Sequence, residues 1–359
     1  MNYFVSEVQT DEGVQKTAGV KARDDVEAIL KKMGMQELQI VTKWQERKEG
    51  SIAYRVSVHS KVKKVWEKSL SMLKSGDILI VQFPIIEHSI FLSRVFKKLE
   101  KRGVRVVLII HDLELLRVSL RKDTSLKKRI RLSIEEKDAL FSAYRIVAHN
   151  KAMCDYLTEL GISSEKLVSL QIFDYLIEGF ECDRLSQRKN GKQMPVIIAG
   201  TLRPHKAQYA YKLPENQSFN LFGVGYEGKE GGNISYRGSF LPDELPYALD
   251  GSFGLVWDGE GIETCTGVYG DYLKINNPHK TSLYLAAGIP VIIWNKAALA
   301  DFITENQCGF VVESLRDIPT IISDMSEEQY LLYKEGAENV GEKMRKGYYM
   351  QQAVQNCLK

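Results

Sequence analysis

Short apolar runs alternate with longer amphipathic stretches along almost the whole chain, and that alternation leaves few folds open. Apolar runs separated by helix-length segments read as parallel strands with crossover helices, because a strand buried on both faces shows no polar alternation. In the first half the pattern predicts strands over residues 2–6, 38–41, 77–81, 104–110, 145–148 and 167–171, with helices over 24–33, 62–73, 89–101 and 151–160. In the second half it predicts strands over 196–199, 220–222, 234–236, 254–257, 291–294 and 309–312, then helix from Ser326 onward. Between Phe180 and Gln193 the chain turns polar and basic and loses its period. The fold class is therefore α/β, with a doubly wound domain over 1–179, a linker over 180–194 and a second domain over 195–359. A terminal helix is expected to return and brace the first domain. At 359 residues, each half is long enough to bury its own core.

Such sheets bind ligands at the carboxyl ends of their strands, so function is expected in the loops after Val5, Val81, Ile110, Ala199, Phe222 and Trp257. Lys plus Arg number 49 against 46 Asp plus Glu, so no global charge excess recruits nucleic acid or membrane. Cys154, Cys182, Cys265, Cys308 and Cys357 are widely spaced and form no Cys-x-x-Cys pair, which fits a reduced, cytoplasmic protein. Residues 1–6 enter a strand-like run without a basic head, so no signal peptide is expected, and no apolar run approaches the ~20 residues that span a bilayer.

The segment 271–294 is the most specific. Asn277 is placed to cap a helix, Pro278 suits its first position, and Gly288 and Pro290 stop it before a buried strand at Val291–Trp294. Exposed amides, the helix dipole and Lys280 would favour an anion there, a nucleotide diphosphate above all. A generic α/β helix with a solvated lysine is the plainer alternative. The loop Gly200-Thr201-Leu202-Arg203-Pro204-His205-Lys206 follows the first strand of the second domain and could supply the other jaw of a diphosphate clamp. Gly223-Val224-Gly225-Tyr226-Glu227-Gly228 matches the dinucleotide spacing, but residues 229–233 continue as loop into another strand and not into the required helix.

His111-Asp112 ends a strand of the first domain, where an imidazole and an acid could take a proton from a hydroxyl nucleophile, with Asp112 the candidate base. Thr17, Ala18 and Gly19, read as a loop, and Gln82 could contact the same ligand. Asn150 is well placed simply to cap a helix. Arg117, Arg121, Lys122, Lys127, Lys128, Arg129 and Arg131 make a basic stretch that could touch anionic headgroups or present a solvated face.

With these pieces in order, the chain resembles the GT-B glycosyltransferases, and within them the bacterial β-1,6-galactofuranosyltransferases and adhesin glucosyltransferases. The segments 253–259, 270–280 and 283–292 carry the resemblance, with weaker matches at 110–112 and 149–153. It implies two Rossmann-like domains, the first for the acceptor and the second for a UDP-sugar, without an essential metal or other cofactor. It implies that Asn276, Asn277, His279 and Lys280 lie at the donor diphosphate, with Gly200, Arg203 and Lys206 nearby. Where the family usually carries Asn after Gly200, this chain has Thr201. Several retaining families carry two glutamates seven residues apart; here Glu263 and Asp271 are the nearest echo, so the resemblance favours inversion. The implied activity is glucosyl or galactofuranosyl transfer from a UDP-sugar to a glycan on lipid or protein. An epimerase or hydrolase of the same fold, or a non-catalytic nucleotide-sugar-binding subunit, are the alternatives. Self-association and peripheral contact with the inner membrane face are further expectations.

Overall fold

The computed structural model describes every residue except 10–17, 43–50, 88, 122–124, 126–129 and 230. Thr17 and the basic residues Lys122, Lys127, Lys128 and Arg129 therefore lie outside the described residues.

The first sheet is built from β1 (Asn2–Gln9), β2 (Gln36–Thr42), β3 (Ile78–Phe83), β4 (Arg105–Ile110), β5 (Arg145–Ala148) and β6 (Leu167–Ser169). All pairs are parallel and the spatial order is β2-β1-β3-β4-β5-β6. The second contains β7 (Val196–Thr201), β8 (Phe219–Val224), β9 (Ile234–Tyr236), β10 (Gly254–Val256), β11 (Val291–Trp294) and β12 (Gly309–Val312). It too is all parallel, in the order β12-β11-β10-β7-β8-β9. Every strand expected from the apolar runs forms, because central strands such as Ile78–Phe83 and Val291–Trp294 are buried along their whole length.

Helices depart more from expectation. α1 (Ala18–Lys32) starts early, so Ala18 and Gly19 form its first turn and not a loop. α2 (Ile52–Ser69) also starts ahead of the expected Val62, because the Ser51 hydroxyl accepts from the Tyr54 amide at 3.2 Å and caps it. α3 (Leu92–Lys101) packs beside α2 on the same face of the sheet, its Phe96 edge-on to Trp66 at 6.3 Å. The polar segment between the sheets is ordered: it carries a short helix, Cys182–Ser186, and the buried Arg188 guanidinium donates to the carbonyls of Leu249 and Ala287. After β8 the glycine-rich loop runs on to β9 with no helix, so the sheet gives residues 223–228 no dinucleotide cradle.

Residues 327–345 and 348–358 close the fold, and the second of these helices packs on α1, β5 and β6 of the first sheet. Its first turn is held by Asp174, whose carboxylate accepts from the amides of Tyr349 and Met350 at 3.2 and 2.7 Å. Burial raises the Asp174 carboxyl to about 7.

Candidate functional site

The second sheet reverses its strand order between β7 and β10, and the loops leaving those strands frame a crevice of the kind that takes ligands. The loops are stitched together where the Gly259 amide donates to the Lys206 carbonyl at 3.2 Å. Gly200 has φ +130°, and a side chain at Gly223 would sit 1.7 Å from the Gly200 carbonyl oxygen, so the floor of the crevice is bare backbone. Thr201 ends β7, and Arg203 stands exposed just before the short helix Pro204–Ala207. Lys206 places its ammonium 5.8 Å from the centre of the Tyr269 ring. The Arg117 guanidinium, from the first domain, lies 5.6 Å from the same ring. Beside it is a cavity of about 240 Å³ whose lining includes Arg121, His205, Glu260 and Tyr269. A larger depression of about 520 Å³, lined by Lys343, Lys346 and Tyr348, touches none of these residues.

Across the crevice stands the helix His279–Ala286. It is preceded by Pro278 in extended conformation, and no side chain caps it; the expected cap, Asn277, is used elsewhere. The Asn277 amide group donates to the carbonyls of His149 (2.6 Å) and Gln171 (3.0 Å), while its oxygen accepts from Asn150 at 2.7 Å. Its backbone N–H donates to His149 Nδ1 at 2.9 Å. The Asn277 side chain thus bonds the two domains together and does not cap the helix, contrary to what the spacing predicts. Asn150 does cap the helix after it, accepting from the Met153 amide at 2.9 Å, and also donates to Ile275 O at 2.9 Å.

Three polar atoms in and just before that first turn are buried without a partner: Asn276 Oδ1, His279 Nε2 and Thr281 Oγ1. Lys280 is not a loose solvated lysine. Its ammonium donates to Asp258 Oδ1 and to the Trp257 carbonyl, both at 2.9 Å, and only 13% of the side chain is exposed. The His279 ring lies between Phe173 and Tyr175, at 6.1 and 5.2 Å, and burial pushes its pKa down to about 4. Of the paired acids weighed for retention, Glu263 is exposed and ion-paired with Arg316, and Asp271 pairs with Lys274.

On the facing edge of the first sheet, His111 and Asp112 leave β4 together and do different work. Asp112 Oδ1 accepts from the Tyr272 hydroxyl (2.5 Å) and the Leu113 amide (2.9 Å), and Oδ2 pairs with Arg117 at 2.6 Å. The carboxylate sequence reasoning offers as a base is thus engaged in tying the domains. Arg117, paired with this carboxylate, also lies over the rings of Tyr269 and Tyr272 of the second domain. The His111 ring stacks on Phe173 (5.3 Å, 15°), and its Nε2 lies 2.7 Å from Gln82 Oε1. Gln82 is therefore bonded to protein, and buried. Burial, with Arg23 nearby, holds the His111 pKa well below its ordinary value. Nearby, burial raises Glu7 to about 7 while both its oxygens accept from the Ile86 amide.

Sequence reasoning missed Phe173, gave Tyr272 no role, and read Lys21 only as the end of a ligand-contacting loop over 17–21; all three sit where the domains meet. The Lys21 ammonium bridges Asp25 and Asp243 at 2.8 Å each, and Ser282 Oγ donates to Phe173 O at 2.8 Å. Among the described residues no group of three or more His, Cys, Asp or Glu gathers as a metal site. No described helix is long and apolar enough to cross a membrane.

Two family models cover nearly all of this architecture, the glucosyltransferase 3-like N-terminal domain at residues 2–172 and the C-terminal domain at 196–357. The chain belongs to this glycosyltransferase family. This glucosyltransferase 3-like protein is 34% identical to the β-1,6-galactofuranosyltransferase WbbI of Escherichia coli K12, over 99% of the chain and 98% of that protein. It is 24% identical to glucosyltransferase 3 of Streptococcus gordonii, over 95% and 93%. The solved structure of Anabaena HepE, a complex with UDP, shares 12% identity at a TM-score of 0.54, over 99% of this chain and 98% of that one, and has the same fold. The glucosyltransferase 3-like chain is thus a two-domain GT-B enzyme.

Proposed function

We propose that this enzyme transfers a glucosyl or galactofuranosyl group from a UDP-sugar to a hydroxyl of a glycan borne on lipid or protein, in a single inverting displacement. The first turn after Pro278 carries the reading. It offers helix amides, the Lys280 ammonium and the unpartnered atoms of Asn276, His279 and Thr281 at a strand-order reversal, a setting that suits a diphosphate and the sugar beyond it. Arg203 and Lys206 complete the charge on the opposite loop. Developing negative charge on the leaving UDP is stabilised by these fixed groups, with no metal called for. The galactofuranosyl and glucosyl activities named for the two relatives set the range of sugars.

UDP at ~100 times its dissociation constant should add roughly 2.7 kcal/mol of stability, read as a rise in Tm. A shift with NAD or GDP but none with UDP would overturn the donor assignment. Incubation with UDP-glucose and UDP-galactofuranose then separates glycan transfer from simple hydrolysis.

A further inference from the structure

We propose that His111 is the general base of the transfer, and that Gln82 and Glu27 are positioning residues that fix which of its nitrogens is free. The inference rests on the UDP-sugar reading of the cleft. Gln82 Nε2 lies 3.4 Å from both Glu27 Oε1 and the Arg23 carbonyl oxygen. Both neighbours are acceptors, so the NH2 group of Gln82 must face them; the flipped amide would set oxygen against oxygen. Its carbonyl oxygen is thereby aimed at His111 Nε2, 2.7 Å away, and that nitrogen must carry the hydrogen. Ser6 Oγ donates to Glu27 Oε2 at 2.8 Å and anchors the far end of the chain of bonds.

The consequence falls on Nδ1. It has no hydrogen-bond partner among the described residues, and His111 is only half-buried, so the lone pair is open to the cleft. Stacking on Phe173 and the bond from its own amide to Phe83 O (2.7 Å) hold the ring still. The position fits the reaction: Phe173 also contacts His279, so one phenyl ring separates His111 from the first turn of the donor helix. Asp112, by contrast, has both oxygens occupied. In the step, the acceptor oxygen bonds to the anomeric carbon while its proton passes to Nδ1. The bond from that carbon to the diphosphate oxygen breaks, and its electron pair leaves with UDP.

Arg23, His149 and His279 face the ring, all opposing its protonation, with Gln82 on its Nε2 side. His111→Phe, which keeps the stacking, should lower transfer by about 10²- to 10⁴-fold with UDP affinity unchanged. The pH profile supplies the second readout. Activity falls on the acid side as His111 takes a proton; Gln82→Glu, which favours the imidazolium, should move that limb to higher pH, and Gln82→Leu should move it lower. Both should lower kcat more than they raise the acceptor KM. Wild-type transfer that survives in His111→Phe would overturn the proposal, as would a raised acceptor KM with an unmoved acid limb in the Gln82 variants. Absence of transfer from any UDP-sugar by the wild type would overturn the underlying reading instead.

Discussion

Lys280 shows how a residue can be placed correctly by sequence and still be misjudged in energy. Spacing after Pro278 puts it in the first turn, but nothing local announces that Asp258, on another strand end, holds its ammonium at 2.9 Å in a site where both side chains are nearly buried. Removing one partner leaves the other uncompensated. Lys280→Met should therefore both weaken UDP binding, on the order of tenfold to a hundredfold for one charge-assisted contact, and lower Tm. The double variant Lys280→Met/Asp258→Asn should recover Tm without recovering UDP affinity; calorimetric titration with UDP and thermal melts check both. Asn277 was illegible for a related reason. An Asn before Pro-His reads as a helix cap, whereas its real partners, His149 and Gln171, are 128 and 106 residues away in sequence. Asn277→Ala orphans buried groups on both domains and should cost on the order of 3 kcal/mol in urea unfolding. A cost near zero would remove it from the lock.

Strands were the most legible elements and helix starts the least. Parallel strands such as Arg105–Ile110 are buried nearly throughout and advertise themselves as unbroken apolar runs. α2 opens on a mostly apolar stretch in which Tyr54 and Val56 are nonetheless exposed, so a one-sided apolar period becomes visible only from the buried Val58 and Val62 onward. The helix Tyr348–Leu358 shows an apolar face in sequence, but Asp174, which holds its start, is fixed only by the fold. Asp174→Ala leaves the amides of Tyr349 and Met350 without their acceptor and should cost about 1 to 2 kcal/mol. The pH sign comes from its raised value: between about 4 and about 7 the folded chain keeps a proton the unfolded chain has lost, so this group's contribution falls as pH rises. The deficit of Asp174→Ala should thus be larger at pH 5 than at pH 8. A deficit that grows toward pH 8 would contradict the assignment.

For the molecule as a whole, two doubly wound domains were readable from the alternation of apolar runs, whereas the seam between them was not, since its bonds join residues far apart in sequence. That seam should be sensitive to acid. Burial holds His149 and His279 at about 4, below the ordinary 6.5, so between these values the unfolded chain binds protons the folded chain refuses. Each histidine should contribute on the order of 2 kcal/mol of destabilisation at pH 5. Glu7, Glu136 and Asp174, each raised to about 7, and Asp25, to about 6, run the other way, so the wild-type profile is a difference of opposing trends. His149→Gln keeps an acceptor for the Asn277 amide and removes one titration. The change in its unfolding free energy from pH 7 to pH 5 should differ from that of the wild type by about 2 kcal/mol, in favour of the variant at pH 5. The return of residues 348–358 to the first domain has a further meaning for biogenesis. On the ribosome, β5, β6 and α1 emerge long before the helix that covers them, which buries Tyr349, Met350, Ala353, Val354 and Cys357 at its completion. Until those residues are made the nascent first domain carries an uncovered apolar face, an invitation to chaperones and to premature association that the arrival of this helix withdraws.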